Sequence, residues 1–279
     1  MDSIALRIDA VRERIAAAAR NAGRPPEEVR LVGVTKTHPP EIIAQALAAG
    51  LTDFGENRVQ EAEPKIAALA VERARITWHM IGHLQRNKAK KAAALFDVVH
   101  AIDSVRLAEA LDRALDKETR RQGDPGEEGG EKKDESTPLL APRSSLLAPR
   151  SRSPSLPVLI EVNVSGETSK SGFELAGWEE QPALLDRFLA EVEAMLALPH
   201  LRIRGLMTIA PWGDDPEETR PTFRSIRRLR DRLAQQFPQG NWGELSMGMT
   251  DDFEVAIEEG ATLVRIGRAI FGEREPLKR

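Results

Sequence analysis

Short apolar segments alternate with amphipathic segments eight times along the chain, and this alternation limits the possible folds more than any other feature. Short apolar runs rich in β-branched residues are typical of buried strands, whereas apolar residues repeated every three or four positions indicate helices. Eight strands, each followed by a helix, predict a parallel sheet closed into a (β/α)8 barrel. An open doubly wound sheet is the alternative, which the count of eight disfavours. The predicted strands are residues 30–35, 51–54, 76–81, 98–102, 158–164, 201–209, 244–247 and 263–266.

One further helix is predicted before the first strand. Its apolar residues are mostly three or four positions apart, as on one face of a helix: Ile4, Leu6, Ile8, Val11 and Ile15. The helices of the barrel are predicted at residues 42–49, 59–70, 87–95, 104–117, 178–198, 216–237 and 252–259, with a final short helix after Gly267.

Residues 118–155 interrupt the alternation. This segment is rich in Gly, Pro, Ser and charge, has no aromatic residue, and carries a near-repeat at 139–145 and 146–152. It offers too little apolar surface to offset the entropy of ordering, which predicts a disordered insertion rather than an arginine-rich docking segment. The other 241 residues come close to the roughly 250 of a (β/α)8 barrel. Residues 1–279 are therefore predicted to form a single barrel domain.

Composition excludes several classes of function. Lys and Arg number 40 against 44 Asp and Glu, a net charge of −4, which is unlike the basic surface of nucleic-acid binders. Cysteine is absent, so disulfides, thiolate metal sites and cysteine nucleophiles are excluded. No signal peptide and no apolar stretch long enough to span a membrane is recognisable, so we expect a cytoplasmic protein. His79 and His83 are four residues apart, but the stretch is predicted to be a strand and contains no HExxH motif, so no metal site is expected.

The loops after the seventh and eighth strands have the chemistry of a phosphate site. In a (β/α)8 barrel these loops commonly bind phosphate at the carboxyl ends of the strands. Ser246, Gly248 and Thr250 combine hydroxyl groups with a glycine that lets the backbone approach an anion, and Gly267 repeats this in the next loop. Thr250 or Asp251 is predicted to cap the following helix. Ordinary turn chemistry explains either loop alone, but two adjacent loops favour phosphate.

Lys36 follows the first predicted strand and is the candidate nucleophile. A lysine that points inward at a strand end is desolvated, which lowers the pKa of its amine and makes it nucleophilic. An amine beside a phosphate site suggests a phosphorylated aldehyde, either pyridoxal phosphate (PLP) or the substrate of a class I aldolase. An exposed loop lysine is the simpler interpretation of Lys36 taken alone.

Seven motifs in order make the chain resemble the pyridoxal phosphate homeostasis proteins, which share the fold of the alanine racemase N-terminal barrel. The resemblance covers nearly the whole chain except residues 118–155. The motifs are GVTK at 33–36, FGENRVQ at 54–60, WHMIGHLQ at 78–85, NVSGETSKSGF at 163–173, GLM at 205–207, LSMGM at 245–249 and VRIG at 264–267.

The resemblance implies a PLP site and assigns its residues. Lys36 would form a Schiff base with PLP, and Arg265 would face the pyridine nitrogen. The resemblance places the insertion in a loop at the amino-terminal face of the barrel, away from this site. The ring would be lined by Asn57, His79 and Met207, and the phosphate would be surrounded by Ser246, Gly248, Met249, Thr250 and Gly267.

The resemblance further implies a carrier of PLP rather than a catalyst. Alanine racemases of this fold need a second acid–base group, typically a tyrosine from a separate β-domain, whereas this chain has no tyrosine and no room for that domain. An arginine at the pyridine nitrogen also keeps the ring a weak electron sink. We therefore expect a monomeric, non-catalytic protein of vitamin B6 homeostasis that buffers PLP or delivers it to apoenzymes, with effects on amino-acid balance.

Two enzymatic alternatives remain open. The first is a PLP-dependent amino-acid racemase or decarboxylase, in which Lys36 acts as a single base with weak activity. The second is a class I aldolase, in which Lys36 would trap a sugar phosphate without a cofactor.

Overall fold

Eight parallel strands form a closed ring in the computed structural model, which describes residues 3–123 and 155–273. The order around the sheet is β4-β3-β2-β1-β9-β8-β7-β5, and pairing of β4 with β5 closes it. The predicted barrel is confirmed and the open sheet is excluded. The two-residue β6 pairs with β5 outside the ring. The strands are β1 (Arg30–Val34), β2 (Asp53–Glu56), β3 (Thr77–Met80), β4 (Val98–Ile102), β5 (Leu156–Asn163), β6 (Phe173–Glu174), β7 (Leu201–Met207), β8 (Glu244–Ser246) and β9 (Leu263–Ile266).

The described helices follow the predicted alternation. Within residues 3–123 and 155–273, none is long and apolar enough to cross a membrane. The helices are α1 (Ile4–Asn21), α2 (Pro40–Ala48), α3 (Val59–Ala68), α4 (Ala89–Leu95), α5 (Val105–Gly123), α6 (Pro182–Leu196), α7 (Arg220–Gln236), α8 (Phe253–Glu258) and α9 (Arg268–Phe271).

The additional helix α1 is amphipathic as predicted, with one exception. Its buried face includes Ile4, Ile8, Val11 and Ile15. Leu6 was predicted to share this face, but 60% of its surface is exposed. Each residue turns a helix by about 100°, so Leu6 lies about 200° around the axis from Ile4 and faces away. The prediction for Leu6 is therefore wrong.

Helix α5 extends further than predicted. Its end was expected near residue 117, but it continues to Gly123. The added turns contain strong helix formers, and Arg120 forms an ion pair with Asp116 one turn earlier, at 3.1 Å. Residues 118–123, the first part of the predicted insertion, are therefore helical. Strand β5 begins at Leu156, and residues 124–154 of the predicted insertion lie outside the described residues.

The barrel has a large apolar core and a polar interior. Most buried apolar side chains of the strands and helices form one continuous cluster. Alternate residues of the strands point to the opposite face of the sheet. That face carries a small separate apolar cluster of Ala101, Leu159 and Met207. It also carries buried polar side chains, which form the candidate site: His79, His100, Glu161, Ser246 and Arg265.

Strand β7 contains a position that only glycine fills without displacement. Gly205 has φ of 150°, and a Cβ atom built there would lie 1.8 Å from the carbonyl oxygen of Glu244 on the adjacent β8. The register between β5 and β7 shifts at this point, beside Leu159. Gly205 therefore allows close approach of two neighbouring barrel strands.

Candidate functional site

Lys36 lies in a tight turn immediately after β1. The strand ends at Val34, and the side chain of Lys36 is half-buried. Thr37 follows with φ of 69°, a left-handed conformation that is rare for a β-branched residue. The backbone on both sides of Lys36 is therefore held in a specific shape.

A buried ion cluster contacts this turn, and we call it the Lys65 cluster: Glu56, Glu61 and Lys65. The Nζ atom of Lys65 lies 2.8 Å from Oε1 of Glu56 and 2.7 Å from Oε1 of Glu61. Burial raises the pKa of Glu56 despite the nearby ammonium group. Burial also acts to raise the pKa of Glu61, but hydrogen bonds from Lys65 and the Thr37 backbone outweigh it and lower that pKa.

A chain of hydrogen bonds runs through the barrel interior, and we call it the histidine chain: Asp53, His79, His100, Ser246 and Arg265. Nε2 of His79 lies 3.0 Å from Oδ1 of Asp53, and its Nδ1 lies 2.9 Å from Nε2 of His100. Nδ1 of His100 lies 2.9 Å from Oγ of Ser246. Arg265 then donates from Nη1 to the same oxygen, at 2.7 Å. The chain links four strands, β2, β3, β4 and β8, to β9.

With both imidazole rings neutral, one arrangement of protons satisfies the whole histidine chain. The Asp53 carboxylate accepts from His79, His79 accepts from His100, and His100 accepts from the Ser246 hydroxyl group. Burial, followed by the charges of His79 and Arg265, holds the pKa of His100 well below its usual value. Burial acts to raise the pKa of Asp53, but hydrogen bonds from His79 and Thr52 and the nearby positive charges together lower it. His100 is therefore neutral at physiological pH.

Arg265 provides a fixed positive charge inside the barrel. Its Nη2 donates to the carbonyl oxygen of Thr208 at 2.9 Å, so the guanidinium group is held by β8 and by the residue that follows β7. Burial lowers its pKa to about 10, which leaves it charged at neutral pH. Ser246 donates its hydroxyl proton to His100 and accepts from Arg265, so its side chain is engaged inside the barrel. Its contact with a phosphate stays a prediction.

Glu161 is a buried acid in the same interior. Its Oε2 atom is buried and has no hydrogen-bond partner among the described residues. Burial, and then the negative charge of Asp103, raise the pKa of Glu161 to about 7. The carboxyl group therefore changes charge near neutral pH.

Glu161→Gln is expected to stabilise the fold at alkaline pH. The pKa of Glu161 is about 7 in the folded protein, against the ordinary value of 4.5. Its protonation therefore stabilises the fold fully when the pH is below the ordinary pKa. This stability is lost as the pH rises through about 7. The advantage of the variant over wild type should grow by roughly 2 kcal/mol between about pH 5 and about pH 8. Urea unfolding at both pH values measures it.

Glu13→Gln, at an exposed position of α1, controls for the loss of one negative charge. Equal growth in both variants, or none in Glu161→Gln, would show that burial of Glu161 does not affect stability.

The loops after β8 and β9 bring four predicted phosphate residues to the barrel mouth. Gly248 has φ of 92°, and Met249 is 37% exposed. Thr250 follows it and is half-buried, and Gly267 precedes α9. Thr250 or Asp251 was predicted to cap α8, but the residue at the N-cap is Asp252. The Oδ1 atom of Asp252 accepts from the backbone N–H of Met249 at 2.6 Å. This hydrogen bond fixes the loop before α8.

The three residues predicted to line the PLP ring differ in their surroundings. Asn57, directly after β2, has a buried Oδ1 atom without a hydrogen-bond partner among the described residues. It borders a cavity of about 730 Å³ that Glu61 and His83 also line. His79 uses both ring nitrogens in the histidine chain, and Met207 belongs to the interior apolar cluster.

The structure thus brings Lys36, Asn57, Ser246 and Gly267 to the carboxyl ends of four strands that are consecutive around the barrel, with Arg265 beneath them. Their contacts with a ligand stay a prediction. Sequence reasoning missed Asp53, His100 and Glu161, although a single polar residue inside an otherwise apolar strand could have indicated His100 and Glu161. Among the described residues no cluster of metal-binding side chains occurs.

The fold and the site together define a class: the (β/α)8 barrels of the alanine racemase type, called fold-type III among PLP proteins, with a lysine after the first strand. The family model described as alanine racemase, N-terminal domain, matches residues 6–275. The chain belongs to this family.

Named relatives agree with the motifs. The chain is 38% identical over 269 residues to the pyridoxal phosphate homeostasis protein of Aquifex aeolicus, covering 96% of this chain and 97% of the relative. It is 37% identical over 282 residues to the protein of the same name from Escherichia coli K12, covering all of both. The structure of PipY from Synechococcus elongatus with PLP bound is 34% identical. It has a TM-score of 0.71 and covers 96% of this chain and 100% of that one. The predicted resemblance is confirmed.

Proposed function

We propose that this protein binds PLP covalently through Lys36 and keeps it available inside the cell without turning over a substrate. The observation that carries the proposal is the position of Lys36, in a fixed turn on the strand next to β9 and its Gly267 loop. PipY, which resembles this chain along its whole length, was solved with PLP bound.

The residues at the barrel mouth fit this cofactor. When bound, PLP supplies an aldehyde that condenses with a primary amine to give a Schiff base and one molecule of water. Lys36 would be the amine, and the loops that carry Gly248, Met249, Thr250 and Gly267 would surround the phosphate. The amide oxygen of Asn57, which has no hydrogen-bond partner among the described residues, would be an acceptor beside the ring.

Arg265 favours holding the cofactor over activating it. Its guanidinium group is fixed by Ser246 and Thr208, and it would face the pyridine nitrogen of a bound PLP. Arginine has only donors and keeps its protons, so it donates to that nitrogen and leaves it unprotonated. An unprotonated ring withdraws electrons weakly, which disfavours catalysis on a bound amino acid.

The carrier role further rests on the sequence. It contains no tyrosine, the group that typically completes the racemase site, and its relatives carry the name homeostasis protein. We propose a cytoplasmic monomer that gives PLP to apoenzymes in transient encounters.

Intact mass spectrometry of the purified protein, incubated with PLP and then treated with borohydride, tests the proposal. We expect the added mass of one reduced cofactor, located on the peptide that contains Lys36. A protein that stays unmodified in excess PLP would overturn the proposal.

A PLP-dependent racemase is the second candidate, favoured by the matching family model. The PLP-loaded protein should show no turnover near 1 per second with any common amino acid, a rate at the low end for enzymes. Chiral chromatography and decarboxylation assays measure this. Turnover at such a rate would favour the enzyme over the carrier.

A further inference from the structure

Both neighbours of Lys36 are held by the Lys65 cluster. Nζ of Lys65 donates to the backbone oxygen of Thr35 at 2.8 Å, and the Thr35 hydroxyl group donates to Oε1 of Glu56 at 2.6 Å. On the other side, the backbone N–H of Thr37 donates to Oε1 of Glu61. One cluster therefore fixes the backbone before and after the lysine.

The Lys65 cluster lies largely in the protein interior, where an unpaired charge is unfavourable. The side chains of Glu56 and Lys65 are 0% and 7% exposed, and that of Glu61 is 28% exposed. Burying an ion is tolerated when pairing and hydrogen bonds compensate its lost hydration. Here the compensating contacts include the Thr35 carbonyl group and the Thr37 amide, so removing an ion also frees the turn.

The turn needs such support because of Thr37. A β-branched residue with φ of 69° is strained, and surrounding contacts must hold it there. Glu61 supplies one of these contacts, and Lys65 in turn fixes the carboxylate of Glu61.

We propose that Glu61 and Lys65 are positioning residues for Lys36, which set the conformation of the Thr35–Thr37 turn and thereby the place of the reactive amine. The inference rests on the proposed function, in which Lys36 bonds to PLP. Helix α3, which carries both residues, thus acts on the amine of Lys36 through the Thr35–Thr37 turn.

The rate of bond formation at Lys36 separates positioning from simple stabilisation. A misplaced amine meets the aldehyde less often in a productive geometry, which lowers the rate even in a folded protein. A purely structural contact would lower the melting temperature and leave this rate unchanged.

The test compares variants of the full-length protein, freed of cofactor and mixed with PLP. Borohydride quenching at set times and mass spectrometry give the rate of adduct formation at Lys36. Glu61→Ala and Lys65→Met should slow it on the order of tenfold. Glu61→Gln keeps an acceptor for the Thr37 amide and should recover part of the loss. Circular dichroism melting of each variant reports folding.

Glu63 and Lys91 are the matched controls. They form an exposed pair at 2.8 Å between α3 and α4, with side chains 46% and 56% exposed. Glu63→Ala and Lys91→Met remove the same charges from the same region and should keep the wild-type rate.

If folded Glu61→Ala forms the adduct at Lys36 at the wild-type rate, the inference is overturned. When Lys65→Met does not fold, the result for Glu61→Ala alone decides. An equal slowing in Glu63→Ala would also overturn it. If wild type itself forms no adduct at Lys36, the proposed function fails with it. If wild type forms the adduct and the variants form it at the same rate, the inference fails but the proposed function stands.

Discussion

Lys36→Ala is expected to abolish the borohydride-trapped PLP adduct while the barrel stays folded. The side chain is half-buried in a turn after β1 and is not part of the apolar core. Its loss therefore removes the amine that bonds to the aldehyde without leaving a cavity in the core. We expect less than about one per cent of wild-type labelling, which intact mass spectrometry measures. The melting temperature should change by no more than a few degrees.

Lys88→Ala provides the control for this experiment. Lys88 borders the neighbouring cavity beside Asn57 and is also half-buried. This variant should keep the single adduct at Lys36. A trapped adduct of wild-type yield on another lysine of Lys36→Ala would contradict the assignment of Lys36.

Gly205→Ala is expected to lower the stability of the barrel by about 4 kcal/mol. The new Cβ would lie 1.8 Å from the Glu244 carbonyl oxygen and 2.7 Å from its carbon, at a backbone φ of 150°. Strain of about 1–3 kcal/mol from the backbone and about 1–3 kcal/mol from displaced atoms predicts a loss of about 4 kcal/mol. Urea unfolding monitored by tryptophan fluorescence measures it.

Gly23→Ala separates the two sources of this loss. Gly23 follows α1 with φ of 69°, but nothing lies within 4 Å of a Cβ built there. Only backbone strain applies, and we expect a loss of about 1 kcal/mol. Equal losses in the two variants would mean that β8 moves away from Gly205 at little cost in free energy.

The barrel could be predicted from the sequence because each strand and helix carries its own local pattern. The errors arose where that pattern is ambiguous. Leu6 fits a loose spacing of apolar residues but not the angle around α1, and the helix formers near Arg120 extend α5 beyond the start of the unusual composition.

The site could be predicted only in part, because its contacts join distant segments. Lys36 and the loop glycines follow from their places after strands, whereas His100 and Ser246 meet across 146 positions in the sequence. Lys65 lies four residues after Glu61, a spacing that also occurs in surface ion pairs on helices. Its burial against Glu56 depends on the packing of α3 on the sheet.

The uniform direction of the histidine chain has an electrical consequence. Its negative end, Asp53, is the first residue of β2, and its positive end, Arg265, lies next to the last residue of β9. The interior of the barrel therefore carries a permanent dipole whose positive pole points toward the mouth. This dipole favours the approach of an anion from that side over the approach of a cation.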